Sequence, residues 1–345
     1  MNILHMTDCD SGGVPAVVAQ LTSSLGGGVI FLGDTKAESV HEDSVVATLG
    51  YNRSINPAKV LLAIYRASKV VRRLSPDVLH AHSSFGGFIG AVCSVILRVP
   101  FVYSPHASPS MMPGASLRQK VFNVLERFTL SVAKVTLACS DDEKACLAAF
   151  VPDRRIWVIP NGVAAHLQDM VPVTQWDVLF VGRICAQKRP DLFAEIARSV
   201  KDRQSSISFA WVGPGQQVSD SNVIWLGEKS EDDVLKELGR SKVYLSVSDY
   251  EGLSLATLKA ACLGCYLMLR DTPGNRAPVK MGAAGELFQS VEEVAKRIVE
   301  IVNQEGTWSV DSRCSRAAQS KDLFSVEKMI LDTRAAYSSA CKIQW

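Results

Sequence analysis

The sequence has no apolar run of the roughly 18 to 20 residues that a membrane-spanning helix needs. Its first residues, MNILHMTDCD, do not place a basic segment before an apolar core, so no signal peptide is expected. Net charge is nearly absent: 37 Lys and Arg against 35 Asp and Glu leave +2, which gives no electrostatic ground for a nucleic-acid partner. Aromatics are sparse at 7%. The nine cysteines are scattered among apolar residues, which suits reduced thiols in a cytoplasmic chain. One close pair, Cys262 and Cys265, straddles a helix end and a strand start, and without a second pair it makes no zinc site. The chain lacks low-complexity tracts and has no repeat beyond a twofold use of one strand–helix pattern.

What is present is apolar material for two cores: 47% apolar residues in 345 positions. Short β-rich runs alternate with helical periodicity, as in NILHMT, then AVVAQLTSSL, and later DVLHAH and PFVYSPH. In residues 56–76 the apolar positions Val60, Leu61, Ile64, Ala67, Val70, Val71 and Leu74 have helical spacing, and Pro76 stops the pattern. After a less regular stretch at 164–176 the alternation restarts with DVLFVG. Two such runs predict an α/β chain with two doubly wound parallel sheets. The expected domains are 1–165, 166–325, and a C-terminal helix in 326–345 free to cross back to the first.

Open parallel sheets bind ligands outside the carboxyl ends of their strands. The residues expected there are Gly12 and Gly13, His82, His106, Asn161 and Gly162 in the first half. In the second they are Gly182, Arg183 and Lys188, then Gly213, Pro214 and Gly215, then Glu251, Gly252 and Ser254. This basic, small and amide-rich set suits an anionic ligand, because glycines let backbone N–H groups approach phosphate oxygens near helix N-termini. DCD at 8–10 has the form of a metal-binding DxD but precedes a glycine loop, and is read as a loop start with no metal. His80 lies within its strand and is read as structural.

The stretches VLFVGRICAQKRPDLF, VIPNGV, DVLHAHSS, WVGPG and SDYEGLSLATLKAACLG resemble, in order and spacing, the motifs of retaining GT-B glycosyltransferases of the family-4 type. The resemblance implies two Rossmann-like domains facing a central cleft, with a nucleotide-diphosphate sugar as co-substrate and no cofactor or metal. It implies that Arg183 and Lys188 clamp the diphosphate, with Gly182, Gly213, Gly252 and the amides of Leu253 and Ser254 beside it. Glu251, the first acid of the family's EX7E signature, is expected to face the sugar's hydroxyls. The second acid is replaced by Lys259, which has donors and no acceptor and so cannot take ribose hydroxyls as a carboxylate does. Lys259 is left as a candidate phosphate contact. Gly12 and Gly13 match the loop that approaches the donor phosphate, and His106 matches a histidine at the sugar. Asp10 and His82 are the acceptor-side candidates.

The acceptor is read as a glycan or a lipid-linked sugar, in surface polysaccharide or lipopolysaccharide assembly. Lys59, Arg66, Lys69, Arg72 and Arg73 form an acid-free basic run, and Arg118, Lys120, Arg127 and Lys134 accompany Phe122 and Phe128 in another. Such helices suit either an anionic membrane at the inner face or a solvated outer face. Two alternatives stay open. One is a nucleotide-sugar epimerase or hydrolase of the same fold; the other is a non-catalytic binding protein, given Lys259.

Overall fold

The computed structural model of the chain describes residues 1–112, 117–164, 174–218 and 220–342. It divides into two compact units, Met1–Asn161 with Val326–Trp345, and Gly162–Ser325. The division falls a few residues before the expected boundary, and most of the irregular stretch at 164–176 lies outside the described residues.

The first unit is built on β1 (Ile3–Thr7), β2 (Gly28–Phe31), β3 (Val45–Thr48), β4 (Val78–His82), β5 (Phe101–Ser104), β6 (Val135–Ala138) and β7 (Ile156–Val158). They form one parallel sheet of order β3-β2-β1-β4-β5-β6-β7. Its helices are α1 (Gly13–Leu25), α2 (Pro57–Leu74), α3 (Ser84–Leu97), α4 (Leu117–Val132) and α5 (Asp141–Ala148). Side chains alternate across the pleat. Leu4, Met6, Leu79, Ala81, Phe101 and Tyr103 therefore share one core with Ala63, Ala67 and Val71 of α2 and with Ile89 of α3. The residues between them, His5, Thr7, His80 and His82, face the other way, with His5 paired to His80 and Thr7 to His82 across β1 and β4.

The second unit carries β8 (Trp176–Val181), β9 (Phe209–Val212), β10 (Ile224–Trp225), β11 (Ser241–Ser246), β12 (Tyr266–Arg270) and β13 (Gly285–Phe288). They too form one parallel sheet, of order β10-β9-β8-β11-β12-β13. Its helices are α6 (Pro190–Arg203), α7 (Glu231–Gly239), α8 (Leu255–Cys262), α9 (Arg276–Lys280), α10 (Val291–Asn303) and α11 (Val310–Leu323). In α10 the Ser290 hydroxyl accepts from the Glu293 amide and the Glu293 carboxylate accepts from the Ser290 amide, satisfying two end donors reciprocally. The C-terminal helix, α12 (Val326–Lys342), belongs to the first unit, where Tyr337 and Ala340 are fully buried.

The sequence reading did not foresee β13 or α11. In α11 a core position is filled by Arg313, 3% exposed, whose guanidinium donates to the Gly239 carbonyl at 2.9 Å, so the helix shows little apolar periodicity. None of the nine cysteines is in a disulfide. Burial pushes the Cys262 and Cys265 thiols up to about 12 and about 11, so both are protonated at neutral pH. Among the described residues no helix is long and apolar enough to cross a membrane.

Candidate active site

In the second unit, β8 has its sequence neighbour β9 on one side and β11 on the other, so the direction of winding reverses between β8 and β11. The crevice outside the strand ends at such a point is where open α/β sheets take ligands. The turns leaving these two strands are tied together by the chain itself. The Asp249 amide donates to the Gln187 carbonyl at 2.9 Å, and Gln187 Nε2 donates to the Tyr250 carbonyl at 2.9 Å. The Asp249 carboxylate is shared by Arg189 at 3.3 Å and Arg270 at 2.5 Å.

This stitching brings Lys188 and Glu251 into direct ion-pair contact, with both side chains nearly buried. The pair explains how a carboxylate is tolerated in this nearly buried place: the ammonium neutralises it. Removing one partner of a buried pair typically costs about 3–5 kcal/mol, because the other charge is left uncompensated. Arg183 differs. It is exposed and has no hydrogen-bond or ion-pair partner among the described residues, so its guanidinium is free to take a ligand's oxygens.

Two glycines set the spacing of these turns. A Cβ on Gly213 would meet the Gly182 carbonyl oxygen at 2.0 Å, and one on Gly274 would meet the Glu251 carbonyl oxygen at 1.8 Å. Gly274 was not foreseen; its φ of 78° and this close approach are the requirement. At the start of α8 the Ser254 hydroxyl caps the helix, accepting from the Thr257 amide at 3.5 Å, while Gly252 and Leu253 are buried beside it.

Lys259 is not an uncommitted cation. Its ammonium lies 2.5 Å from the Glu231 carboxylate, at the first position of α7, so the candidate phosphate contact is neutralised by a carboxylate the sequence reading had left aside.

In the first unit the corresponding reversal lies between β1 and β4. Gly12, at φ 84°, leads into α1, whose first residue is Gly13. The two acids of DCD are engaged separately. Asp8 takes Arg53 at 2.8 Å and the Gly86 amide at 3.0 Å, while exposed Asp10 takes the Thr35 hydroxyl at 2.5 Å.

His82 corrects the acceptor-side expectation. It is fully buried, and each ring nitrogen shares a hydrogen bond with another histidine: Nε2 with His5 Nδ1 at 3.0 Å and Nδ1 with His106 Nε2 at 3.0 Å. With both ring nitrogens engaged, His82 touches the candidate site through His106. Burial lowers His5 to about 3 and His106 to about 4, and lowers His80 and His82 as well, so the chain of imidazoles is neutral. Among the described residues His5 Nε2 has no hydrogen-bond partner. An orphan acceptor costs less than an orphan donor. The favoured tautomers therefore donate from His5 to His82 and from His82 to His106, which leaves the His106 Nδ1–H as an outward donor.

The nitrogens of His5, His80 and His82 lie within 4.8 Å of one another, close enough for metal ligands. The His5–His82 bond needs a proton between the two rings, though. Both nitrogens of His80 are also engaged, by Tyr337 Oη at 2.8 Å and Ser104 Oγ at 2.9 Å. The cluster is a hydrogen-bonded relay.

His106 sits in a strained turn, with φ of 54° there and 85° at Ala107. Each such residue costs on the order of 1–3 kcal/mol. The turn is held by Glu143 of α5, whose buried carboxylate accepts from the amides of Ala107, Ser108 and Cys139 at 2.8, 3.0 and 2.8 Å. In the sequence Glu143 reads only as a first-turn helix acid.

Comparison with known proteins identifies the family. Residues 12–166 match Glycosyltransferase Family 4 and residues 175–304 match Glycosyl transferases group 1. The UDP-Gal:alpha-D-GlcNAc-diphosphoundecaprenol alpha-1,3-galactosyltransferase of Escherichia coli is 28% identical over 287 residues, 72% of each chain. The O-antigen biosynthesis glycosyltransferase WbnH of Escherichia coli is 24% identical over 62% of this chain and 64% of its own. Anabaena HepE in complex with UDP and glucose superposes with a TM-score of 0.81 at 16% identity, over 98% of this chain and 100% of that one. With both units matched and the fold shared, the chain belongs to the GT-B glycosyltransferases of the family-4, group 1 type.

Proposed function

We propose that the chain is a retaining, metal-independent hexosyltransferase that moves a sugar from a nucleotide-diphosphate donor to a lipid-linked or glycan acceptor in surface polysaccharide assembly. The observation that carries this reading is the pairing of Lys188 with Glu251 beside exposed, unpaired Arg183, at the point where the second sheet reverses. Negative charge grows on the leaving diphosphate during transfer, so cations fixed there stabilise the transition state more than the ground state. Arg183 and Lys188 take the diphosphate, and the α8 N-terminus, with Gly252, Leu253 and Ser254, adds partial positive charge. Glu251, released from part of its bond to Lys188, accepts sugar hydroxyls. His106, neutral and donating from Nδ1, meets a sugar hydroxyl, and Gly12 and Gly13 serve the donor phosphate. The leaving phosphate itself takes the acceptor's proton. The ribose hydroxyls fall to Glu231, whose carboxylate Lys259 holds.

UDP–sugar relatives support a nucleotide-sugar donor, and the Escherichia coli relative named for a diphosphoundecaprenol substrate supports a lipid-linked acceptor. A membrane surface is supported by the layer of α2, α3 and α4, which pack side by side. It exposes Leu61, Leu62, Tyr65, Val95, Ile96 and Val124 among the bases of α2. The side chain of Arg118 lies outside the described residues. The chain therefore works at the cytoplasmic face of a membrane. Incubation with UDP-, GDP- and ADP-sugars and a polyprenyl-diphosphate sugar tests the reading. Transfer with the anomeric configuration kept is expected. Release of free sugar with no product on any acceptor would favour a hydrolase, and binding without turnover a non-catalytic protein.

A further inference from the structure

A cavity of about 250 Å³ opens in the first unit, and none of the residues placed in the site above lines it. It lies between the segment leaving β3 and the first turns of α2, and is lined by Tyr51, Asn52, Ser54, Lys59, Leu62 and Arg66 among others. Two cations face it. Lys59 is exposed and has no partner among the described residues. Arg66 is fixed by one bond, from Nη1 to the Leu49 carbonyl at 2.7 Å, which aims the guanidinium and leaves Nε and Nη2 for a ligand. The N-terminus of the 18-residue α2, capped by Asn56, adds its partial positive charge at the same place. The nearby acid is Asp34, which accepts from Asn52 Nδ2 at 3.1 Å. Leu62, in the lining, is exposed at 47%, and Ile55 and Tyr65, next in sequence to the lining residues Ser54 and Arg66, are exposed at 78% and 57%.

Pockets for drug-sized ligands run to about 300–1,000 Å³. This one is smaller, with Lys59 and Arg66 in its lining and exposed apolar side chains on the neighbouring residues of the same segment. That combination fits a phosphorylated headgroup whose chain continues over the apolar surface. It does not fit a whole nucleotide or a hydrocarbon tail.

We propose that this cavity binds the phosphate or diphosphate that joins a sugar to its lipid carrier, so that α2 selects the acceptor by its headgroup. The inference rests on the reading that the acceptor is lipid-linked. Lys59 supplies a mobile point charge and Arg66 an oriented fork, while Ile55, Leu62 and Tyr65 take the first carbons of the lipid.

The test is co-sedimentation of the intact chain with phosphatidylcholine vesicles carrying decaprenyl diphosphate, or phosphatidylglycerol at equal surface charge. The wild type should bind the prenyl-diphosphate vesicles about tenfold or more tightly than the phosphatidylglycerol ones, a gap larger than matched charge alone gives. Lys59→Glu should remove that preference while leaving the melting temperature and the thermal shift with UDP unchanged. Lys59→Arg should keep the preference. Equal binding to both vesicles, or an undiminished preference in Lys59→Glu, would overturn the proposal. Inorganic pyrophosphate that binds as tightly as the vesicles would place the ligand among soluble phosphates and overturn the lipid assignment. Loss of the UDP shift in the wild type strikes the donor reading instead, so the two failures are distinguishable.

Discussion

Single residues in this chain are informative because their partners are so specific. Lys188 and Glu251 are 63 positions apart, and family resemblance alone places both at the donor. It does not say that they neutralise one another. Their coupling is measurable. Lys188→Met should destabilise the second unit by about 3–5 kcal/mol through the orphaned carboxylate. Adding Glu251→Gln should recover most of that stability while transfer stays abolished. Chemical denaturation of the four proteins checks this, and additive effects would show that the pair is not coupled. Glu126 makes a second case. Burial raises its carboxyl to about 7, with the Tyr103 hydroxyl donating to one oxygen at 2.8 Å and the other oxygen unpartnered. An acid whose folded pKa is raised binds more protons folded than unfolded between about 4.5 and 7, so it costs stability as pH rises through that window. Glu126→Gln should therefore gain on the order of 3 kcal/mol at pH 8 relative to its effect at pH 4. Denaturation midpoints at the two pH values decide it.

At the scale of elements, the strand–helix alternation was legible because most strands are short apolar runs and most helices repeat apolar residues on one stripe, which β13 and α11 do not. Residues near strand ends were legible for the same reason: Gly12, His106, Arg183 and Glu251 each lie in the turn that leaves a strand. Even the alternation of His80 and His82 in DVLHAH shows that both side chains share one sheet face. What it cannot show is that His5 of β1 pairs beside them, since strand order is a long-range property. Glu143 was illegible for a like reason. A helix-capping position explains it locally, and only the folded chain reveals the turn it holds. Glu143→Ala should leave the amides of Ala107, Ser108 and Cys139 without an acceptor. The expected cost is about 1–3 kcal/mol per group stranded without water. Because the strained turn carries His106, turnover should fall further than donor affinity does. Steady-state kinetics checks it: unchanged kcat would mean that the turn holds itself.

For the whole molecule, the two units carry different titratable loads. His5, His80 and His82 are buried and His106 is half-buried, all four neutral, in the first unit, while no histidine is described in the second. A histidine with a depressed folded pKa contributes stability above its unfolded value near 6.5, and that stability is lost as pH falls toward the folded value. The slope is about 1.4 kcal/mol per pH unit for each histidine. Acid should thus unfold the first unit between about pH 6 and 4 while the second stays folded. A calorimetric trace that splits in two at pH 5 is the expected result; one cooperative transition at every pH would contradict it.

The central claim is that the strand-end turns carrying Arg183, Lys188 and Glu251 hold a nucleotide diphosphate. Thermal denaturation of wild type and Arg183→Ala with UDP, GDP, ADP and their sugars tests it most directly. One nucleotide, at a hundred times its dissociation constant, should stabilise the wild type by about 2.7 kcal/mol. The same concentration should do little for Arg183→Ala. If no nucleotide shifts the wild type, or the variant responds equally, the claim fails.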